Sequence, residues 1–504
     1  LRIETCFALG KVFFNPKSEI RNPQSNGPLH RVMDSLPFLR RKRMSGTMKK
    51  ILVVALGSVL SFLALHMPGP SRENRFSHPA LFASEQTAEE KGFRNLTQRA
   101  YGVSMVNPKV FEKIWTVWEP EWKAKVDPQD PAQIRRLAFE RYGFSEAPYP
   151  NDGLPMQYVA TEKGWVPTCM QCHGGRLPGS GQSVVGLPNT EIDLATLAED
   201  LSKSFGLTSD QSRLGQTRGR TNAFVFSIEL LRMRNEDLSK RASPLDMGTY
   251  KSSDLDAIPW WHLKKKSRLY ADGGLTGDFA RAIMQFTLAG PTGEQIRSWE
   301  TDFVDILAYL RSIEPPKYPW SINEQLAAEG KRVFDRSCST CHGTYGPGGE
   351  YPNRVVPIDI IGTDPVRFTG VPPEFRRYYN RTWFGERARA NGETQGYIAP
   401  PLDGVWASAP YFHNGSVPTI YGVLAPESRP RYFRRIGAPK GYDTAKLGHT
   451  VEVLNGPPPD GLAPEARRRI VDTTRTGLGN GGHTFGASLT ESEKLQVIEY
   501  LKTL

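Results

Sequence analysis

Methionine stops at Met284, so the remaining 220 of the 504 residues contain no thioether. Cysteine is almost as scarce, at five residues. Four of the five sit in two pairs with the same spacing, which leaves nothing for a disulfide-stapled scaffold. Cys6 stands alone near the start and is assigned no role. Long apolar runs are also missing. The longest candidate, residues 51–65, falls short of the roughly 20 residues that a membrane-spanning helix needs. No glycine-rich nucleotide loop follows a strand-like segment, and no serine or cysteine hydrolase constellation is visible. The formal charge of +11 is concentrated at the front: residues 1–50 carry a net +8 and the rest only +3. That small remainder gives no reason to expect a nucleic-acid partner.

What is present is the pentapeptide Cys-x-x-Cys-His, twice: Cys169-Met170-Gln171-Cys172-His173 and Cys338-Ser339-Thr340-Cys341-His342. It is the signature of covalent c-type haem attachment, in which each thiol adds to a haem vinyl group and the following histidine becomes the proximal iron ligand. Structural zinc would need four closed ligands without a histidine directly after each pair, and a thioredoxin-like motif would need a βαβ context. Two covalently bound haems c are therefore expected, on Cys169, Cys172 and His173 and on Cys338, Cys341 and His342.

Met48-Lys49-Lys50 followed by the apolar run of residues 51–65 has the charged and hydrophobic regions of a secretory signal. No good small-x-small cleavage site follows, so an N-terminal membrane anchor stays open beside a cleaved signal. Residues 1–47 read as leader or untranslated sequence, and 48–85 as signal peptide or anchor with a linker. Covalent haem attachment takes place outside the bacterial cytoplasm, so the expected location is periplasmic or secreted.

Two segments match in their endings. Residues 303–313 carry apolar side chains at 303, 306, 307, 310 and 313, an amphipathic helix stripe, and the last ten residues share its Tyr-Leu-basic-Ser/Thr-apolar close. Thr490 and Glu493 predict a capping box for the final helix. Pro315 and Pro316 end the earlier helix and open a linker. The expected fold is mainly α with little β: two tandem cytochrome c-like haem domains with long loops, at residues 86–316 and 320–504. Residues 324–334 read as the helix that opens the second domain, with Gly330 and Phe334 ahead of Cys338. The first motif lacks such an opening, since Gly164-Trp165-Val166-Pro167 precedes Cys169 instead.

A purely electron-carrying haem commonly has methionine or a second histidine as sixth ligand, whereas a haem that does chemistry keeps that position open. With no methionine after Met284, the second haem must use His413, His449, His483, a non-histidine group or water. His483 follows Gly479-Asn480-Gly481-Gly482, where the backbone can approach a flat cofactor. For the first haem the candidates are His262, Met233, Met247 and Met284, or a free position. Trp260, Trp261 and His262 are the candidate catalytic residues near it, with the tryptophans shaping a pocket or relaying electrons. The run Lys264-Lys265-Lys266 reads as a solvated face.

The segment Pro401-Leu402-Asp403-Gly404-Val405-Trp406-Ala407-Ser408-Ala409-Pro410-Tyr411-Phe412-His413-Asn414-Gly415-Ser416 resembles a block of the bacterial di-haem cytochrome c peroxidases, a superfamily that includes the di-haem enzymes maturing methylamine dehydrogenase. Peroxidases of this kind are expected to place a distal methionine after that block, and this chain has none. Its Asn480-Gly481-Gly482-His483 looks more like the rubber oxygenase branch, in which one haem is bis-histidine and the N-terminal haem binds dioxygen. The resemblance implies His483 as distal ligand of the second haem, with His413 as the alternative, and a reactive first haem on His173. It also implies calcium between the domains, without naming ligands. The expected function is an oxidoreductase acting on peroxide, dioxygen or an organic substrate. The alternative is a non-enzymatic carrier serving a periplasmic electron-transfer protein.

Overall fold

In the computed structural model, which describes residues 86–504 apart from 252, 393 and 438–440, the chain is mainly helical with little strand. Cys6, the expected leader and the expected signal or anchor lie outside the described residues. Among the described residues eight helices have nine or more residues: α1 (Ala88–Gln98), α2 (Pro131–Tyr142), α3 (Leu194–Ser204), α4 (Ala223–Leu231), α5 (Glu300–Ser312), α6 (Glu324–Ser337), α7 (Pro373–Arg381) and α8 (Glu491–Leu501). Strands are short and mostly paired in twos. The largest sheet is antiparallel throughout, with Tyr432–Arg435 between Val451–Val453 and Ile470–Asp472. Among the described residues no helix is long and apolar enough to cross a membrane.

Two crossing helix pairs organise the molecule. α1 packs on α5, and α6 packs on α8. Both crossings are made at a glycine. A Cβ on Gly92 would lie 2.0 Å from the Asp305 carbonyl oxygen, and one on Gly330 would lie 1.8 Å from that of Gln496. Only a residue without a side chain allows backbones this close. The predicted stripe of α5 is inside, with Phe303, Ile306, Leu307 and Leu310 buried. The predicted capping box on α8 is present, and α1 carries the same device at Thr87 and Glu90.

As expected, Gly164–Pro167 leads into the first motif as a strand, not a helix. α1 has the position in its pair that α6 has in the other, but residues 99–168 intervene before Cys169, whereas α6 runs straight into Cys338. Gly92 and Leu96 repeat the four-residue spacing of Gly330 and Phe334. The interposed chain hid the match.

That insert, which contains α2, builds a core together with α3, rich in aromatics: Phe111, Trp118, Trp122, Phe139, Tyr142 and Phe144. At its centre Arg141 is fully buried and donates through Nε to Asp200 at 2.8 Å, with Glu119 2.7 Å from Nη2. The other two cores draw on both sides of residues 316–320. One runs from Leu96 to Ala390, and the other joins Leu187 and Trp261 to residues 333–501. Consecutive tryptophans divide between them, Trp260 in the first and Trp261 in the second.

Gly330→Ala is expected to lower holoprotein stability by about 1–3 kcal/mol, because the two helices must part to admit the methyl group. Gly456→Ala, where nothing lies within 4 Å of the added carbon, is expected to stay within about 0.5 kcal/mol of the parent. Denaturant unfolding followed by far-UV circular dichroism compares the two.

Candidate functional site

The antiparallel hairpin Tyr158–Thr161 and Gly164–Pro167 leads into the first motif, and Gly174–Arg176, paired with Ser183–Val185, leads out. Between them Met170–His173 makes one helical turn, closed by a bond from His173 N–H to the Cys169 carbonyl at 3.1 Å. His173 Nδ1 lies 3.1 Å from the Ile258 carbonyl oxygen. A carbonyl can only accept, so the proton sits on Nδ1 and Nε2 presents a lone pair. Burial pushes the imidazole down to about 4, against the opposing pull of the Ile258 bond, so it is neutral at pH 7. Trp260 stacks on the ring, with centroids 4.7 Å apart and planes 25° from parallel.

The second motif follows the same rule. α6 ends at Ser337, and Ser339–His342 turns with His342 N–H bonded to the Cys338 carbonyl at 3.0 Å. His342 Nδ1 donates to the Pro400 carbonyl at 2.8 Å, and burial lowers its basicity too. Both imidazoles are therefore neutral, fixed in one tautomer and held by a backbone oxygen, the arrangement that orients a metal-ligating histidine.

Opposite His342 lies His483, with ring centroids 6.3 Å apart. Two imidazoles bound to one metal at about 2 Å each, the usual metal–nitrogen length, place their centroids about 6 Å apart. His483 is presented by a strained loop, with φ of +46° at His483 and +74° at Gly482, where a Cβ would meet the Gly362 carbonyl carbon at 2.2 Å. Arg429 clamps the loop by donating to the carbonyls of Asn480 and Gly482, both at 2.7 Å. His483 Nδ1 is buried and has no hydrogen-bond partner among the described residues.

The other candidates separate cleanly. His413 stacks on Tyr397, centroids 4.2 Å apart, and its buried Nε2 is likewise unpartnered among the described residues. His449 binds the Ala409 carbonyl through Nε2 at 2.9 Å and does not line the cavity described below. Neither do Met233, Met247 or Met284. His262 lines it, yet its Nε2 lies 3.0 Å from the Asp403 carbonyl oxygen, which also accepts from Trp261 Nε1 at 2.7 Å. The lysine run is solvated only in part, at the exposed Lys264. Lys264 pairs with Glu314, Lys265 with Asp403, and Lys266 is buried in the cavity wall.

Both motifs, His413 and His483 line one continuous cavity of about 2500 Å³ with a mainly apolar wall. Pockets for a single small ligand usually measure about 300–1,000 Å³. The residues present fit c-type haem: free cysteine thiols, oriented proximal imidazoles and unpartnered buried imidazole nitrogens facing a large apolar space. Met105, Phe205, Leu207 and Phe286 belong to the lining yet are 37–62% exposed, and they mark the mouth. No three His, Cys, Asp or Glu side chains among the described residues come together as a metal site, so no cluster for calcium is found there. Sequence reasoning missed the carbonyls of Ile258, Pro400 and Asp403, because any residue supplies a carbonyl.

A family model described as RoxA-like, cytochrome c-like matches residues 396–434, the stretch that contains the Pro401–Ser416 block. The match supports a relationship to di-haem cytochromes and implies haem c as cofactor. Two uncharacterized proteins of Sinorhizobium fredii (strain NBRC 101917 / NGR234) are similar in sequence. The protein y4iM is 29% identical over 289 residues, covering 48% of this chain and 63% of its own. The protein y4iJ is 32% identical over 260 residues, covering 38% of this chain and 41% of its own. The chain thus spans less than two thirds of either relative.

Burial holds His262 down to about 4, below the 6.5 of a free imidazole. The unfolded chain binds more protons between those values, so stability is full above about pH 6.5 and falls as pH drops toward 4. His262 alone contributes up to about 3 kcal/mol of that loss. His262→Gln, which keeps a donor for Asp403, is expected to flatten this part of a pH series of unfolding midpoints.

Proposed function

We propose that the chain is an exported di-haem c-type oxidoreductase built of two tandem haem units. Cys169, Cys172 and His173 would hold the haem that meets substrate. Cys338, Cys341 and His342 would hold the other, with His483 across from His342 available to it, and that group would supply electrons. One observation carries the reading: His342 has an imidazole 6.3 Å across from it, whereas the ring lying against His173 among the described residues is the indole of Trp260, and Met233, Met247 and Met284 do not line the cavity. The haems, once attached, contribute iron redox chemistry, and the chain sets ligand identity, polarity and access.

Each residue's part follows from its contacts. Ile258 fixes the His173 tautomer, and Trp260 holds the ring plane. Trp261 and His262 meet at the Asp403 carbonyl, the neighbouring Leu402 N–H donates to Tyr345 Oη at 2.7 Å, and Tyr345 donates to the His342 carbonyl at 2.9 Å. This is a bonded route for electrons between the two motifs. The apolar mouth suits peroxide, dioxygen or an uncharged organic substrate, with a periplasmic electron-transfer protein as redox partner. The alternative, a carrier with both irons six-coordinate, is favoured by one feature, the unpartnered Nε2 of His413.

Carbon monoxide decides between them. The reduced holoprotein is expected to bind it at one haem, with the signal lost in His173→Ala, while His483→Ala is expected to add a second binding haem. Two low-spin haems indifferent to carbon monoxide in the parent protein would sink the enzyme reading in favour of the carrier.

A further inference from the structure

Of the three imidazoles assigned to iron, one lacks the device that orients the others. His173 and His342 each bond a backbone carbonyl through Nδ1, at 3.1 and 2.8 Å. A metal-ligating histidine almost always passes its second ring N–H to such an acceptor, which fixes the ring and raises its basicity. His483 does not: its Nδ1 is buried with no hydrogen-bond partner among the described residues. Its aromatic neighbours Phe412 and Phe485, with centroids 6.0 and 5.2 Å away, offer no acceptor. Its backbone is strained as well, at a φ of +46° that few residues with a side chain adopt. One main-chain bond of its own, from N–H to the Ile361 carbonyl at 2.6 Å, anchors it from the far side of the chain.

The remaining hold comes from Arg429, and it is complete. Nε donates to the Gly422 carbonyl at 2.7 Å, Nη1 to those of Asn480 and Gly482, both at 2.7 Å, and Nη2 to those of Val423 and His483, at 3.2 and 3.3 Å. A guanidinium has five N–H donors, so the whole fork is used on backbone oxygens. Two of the five belong to the short helix Ile420–Leu424, and three to the loop that ends in His483. The side chain thus ties that loop to a separate element at the residue before the ligand and at the ligand itself. The guanidinium also lies 5.0 Å over the Phe412 ring, which fixes its plane beside His483.

We propose that Arg429 is the positioning residue of the second attachment site, doing through the backbone of His483 what a carbonyl does through the rings of His173 and His342. The proposal rests on the reading of His483 as second axial ligand and adds the residue that keeps it there. It also makes the two ligands of one iron unequal. His342 is held by its ring, and His483 only by its main chain, so a competitor for the iron displaces His483 in preference, once the fork of Arg429 is removed.

Carbon monoxide uptake per chain would be titrated on the reduced holoprotein, after counting haems, in the parent and in Arg429→Gln, Arg429→Lys and His483→Ala. Arg429→Gln is expected to bind one equivalent more than the parent, as His483→Ala does, and to lose the low-spin EPR signal of the second haem when oxidised. Free imidazole should restore that signal, because the position opposite His342 has been vacated and not destroyed. The first haem's spectrum and the far-UV circular dichroism should match the parent, which separates a lost ligand from a damaged fold. Arg429→Lys keeps the charge but brings three donors to five acceptors, so it should bind the extra equivalent less tightly than Arg429→Gln. Parent-like uptake in Arg429→Gln would overturn the assignment, and where that variant does not fold, parent-like uptake in Arg429→Lys would do so. A change confined to the first haem would overturn it too. A His483→Ala protein that keeps the parent spectrum would instead bring down the reading of His483 as a ligand.

Discussion

The imidazole of each attachment motif is oriented by one hydrogen bond, from Nδ1 to a backbone carbonyl far along the chain. Ile258 lies 85 residues after His173, and Pro400 lies 58 residues after His342. A short pentapeptide turn cannot by itself aim a ring. The carbonyl settles which nitrogen carries the proton, and burial keeps the ring neutral so that the other nitrogen stays basic. Both carbonyls are placed by long excursions: one ends at the turn carrying Trp260, the other at the segment carrying Asp403. The fold between motif and carbonyl exists, in this sense, to deliver an acceptor to the right side of a ring.

Those same two segments meet. Trp261 and His262 converge on the Asp403 carbonyl, three residues from the Pro400 carbonyl that holds His342. Lys265 reinforces the junction, bonding both carboxylate oxygens of Asp403 at 2.7 and 2.8 Å while lying over the Tyr345 ring. The orientation of one imidazole is thereby coupled to that of the other through a rigid, hydrogen-bonded seam, and the two apolar cores join where Trp260 and Trp261 face opposite ways.

The parts of this that were legible in sequence are those in which chemistry demands a residue type. Cysteine and histidine at fixed spacing, Thr490 with Glu493, Gly330 in a helix and the stripe from Phe303 to Leu310 all announced themselves. His483 could be proposed because glycines precede it, and the loop does use them, with Gly482 at a positive φ against the Gly362 backbone. The failures have a common physical reason. Carbonyl acceptors have no side-chain signature. A lysine's burial depends on what folds over it, so Lys264, Lys265 and Lys266 looked alike and met three different fates. The pairing of α1 with α5 has no local cue, because residues 99–168 separate α1 from Cys169.

The segment interposed between α1 and Cys169 has no counterpart before Cys338. It shares an aromatic core with α3, in which its Arg141 pairs with Asp200. It also contributes Met105 and neighbouring residues to the cavity mouth. The helix crossings and attachment turns thus lie outside the segment that adds Met105 to the lining. A lineage could rebuild the doorway, in length or in chemistry, while both glycine crossings and both attachment turns stayed as they are.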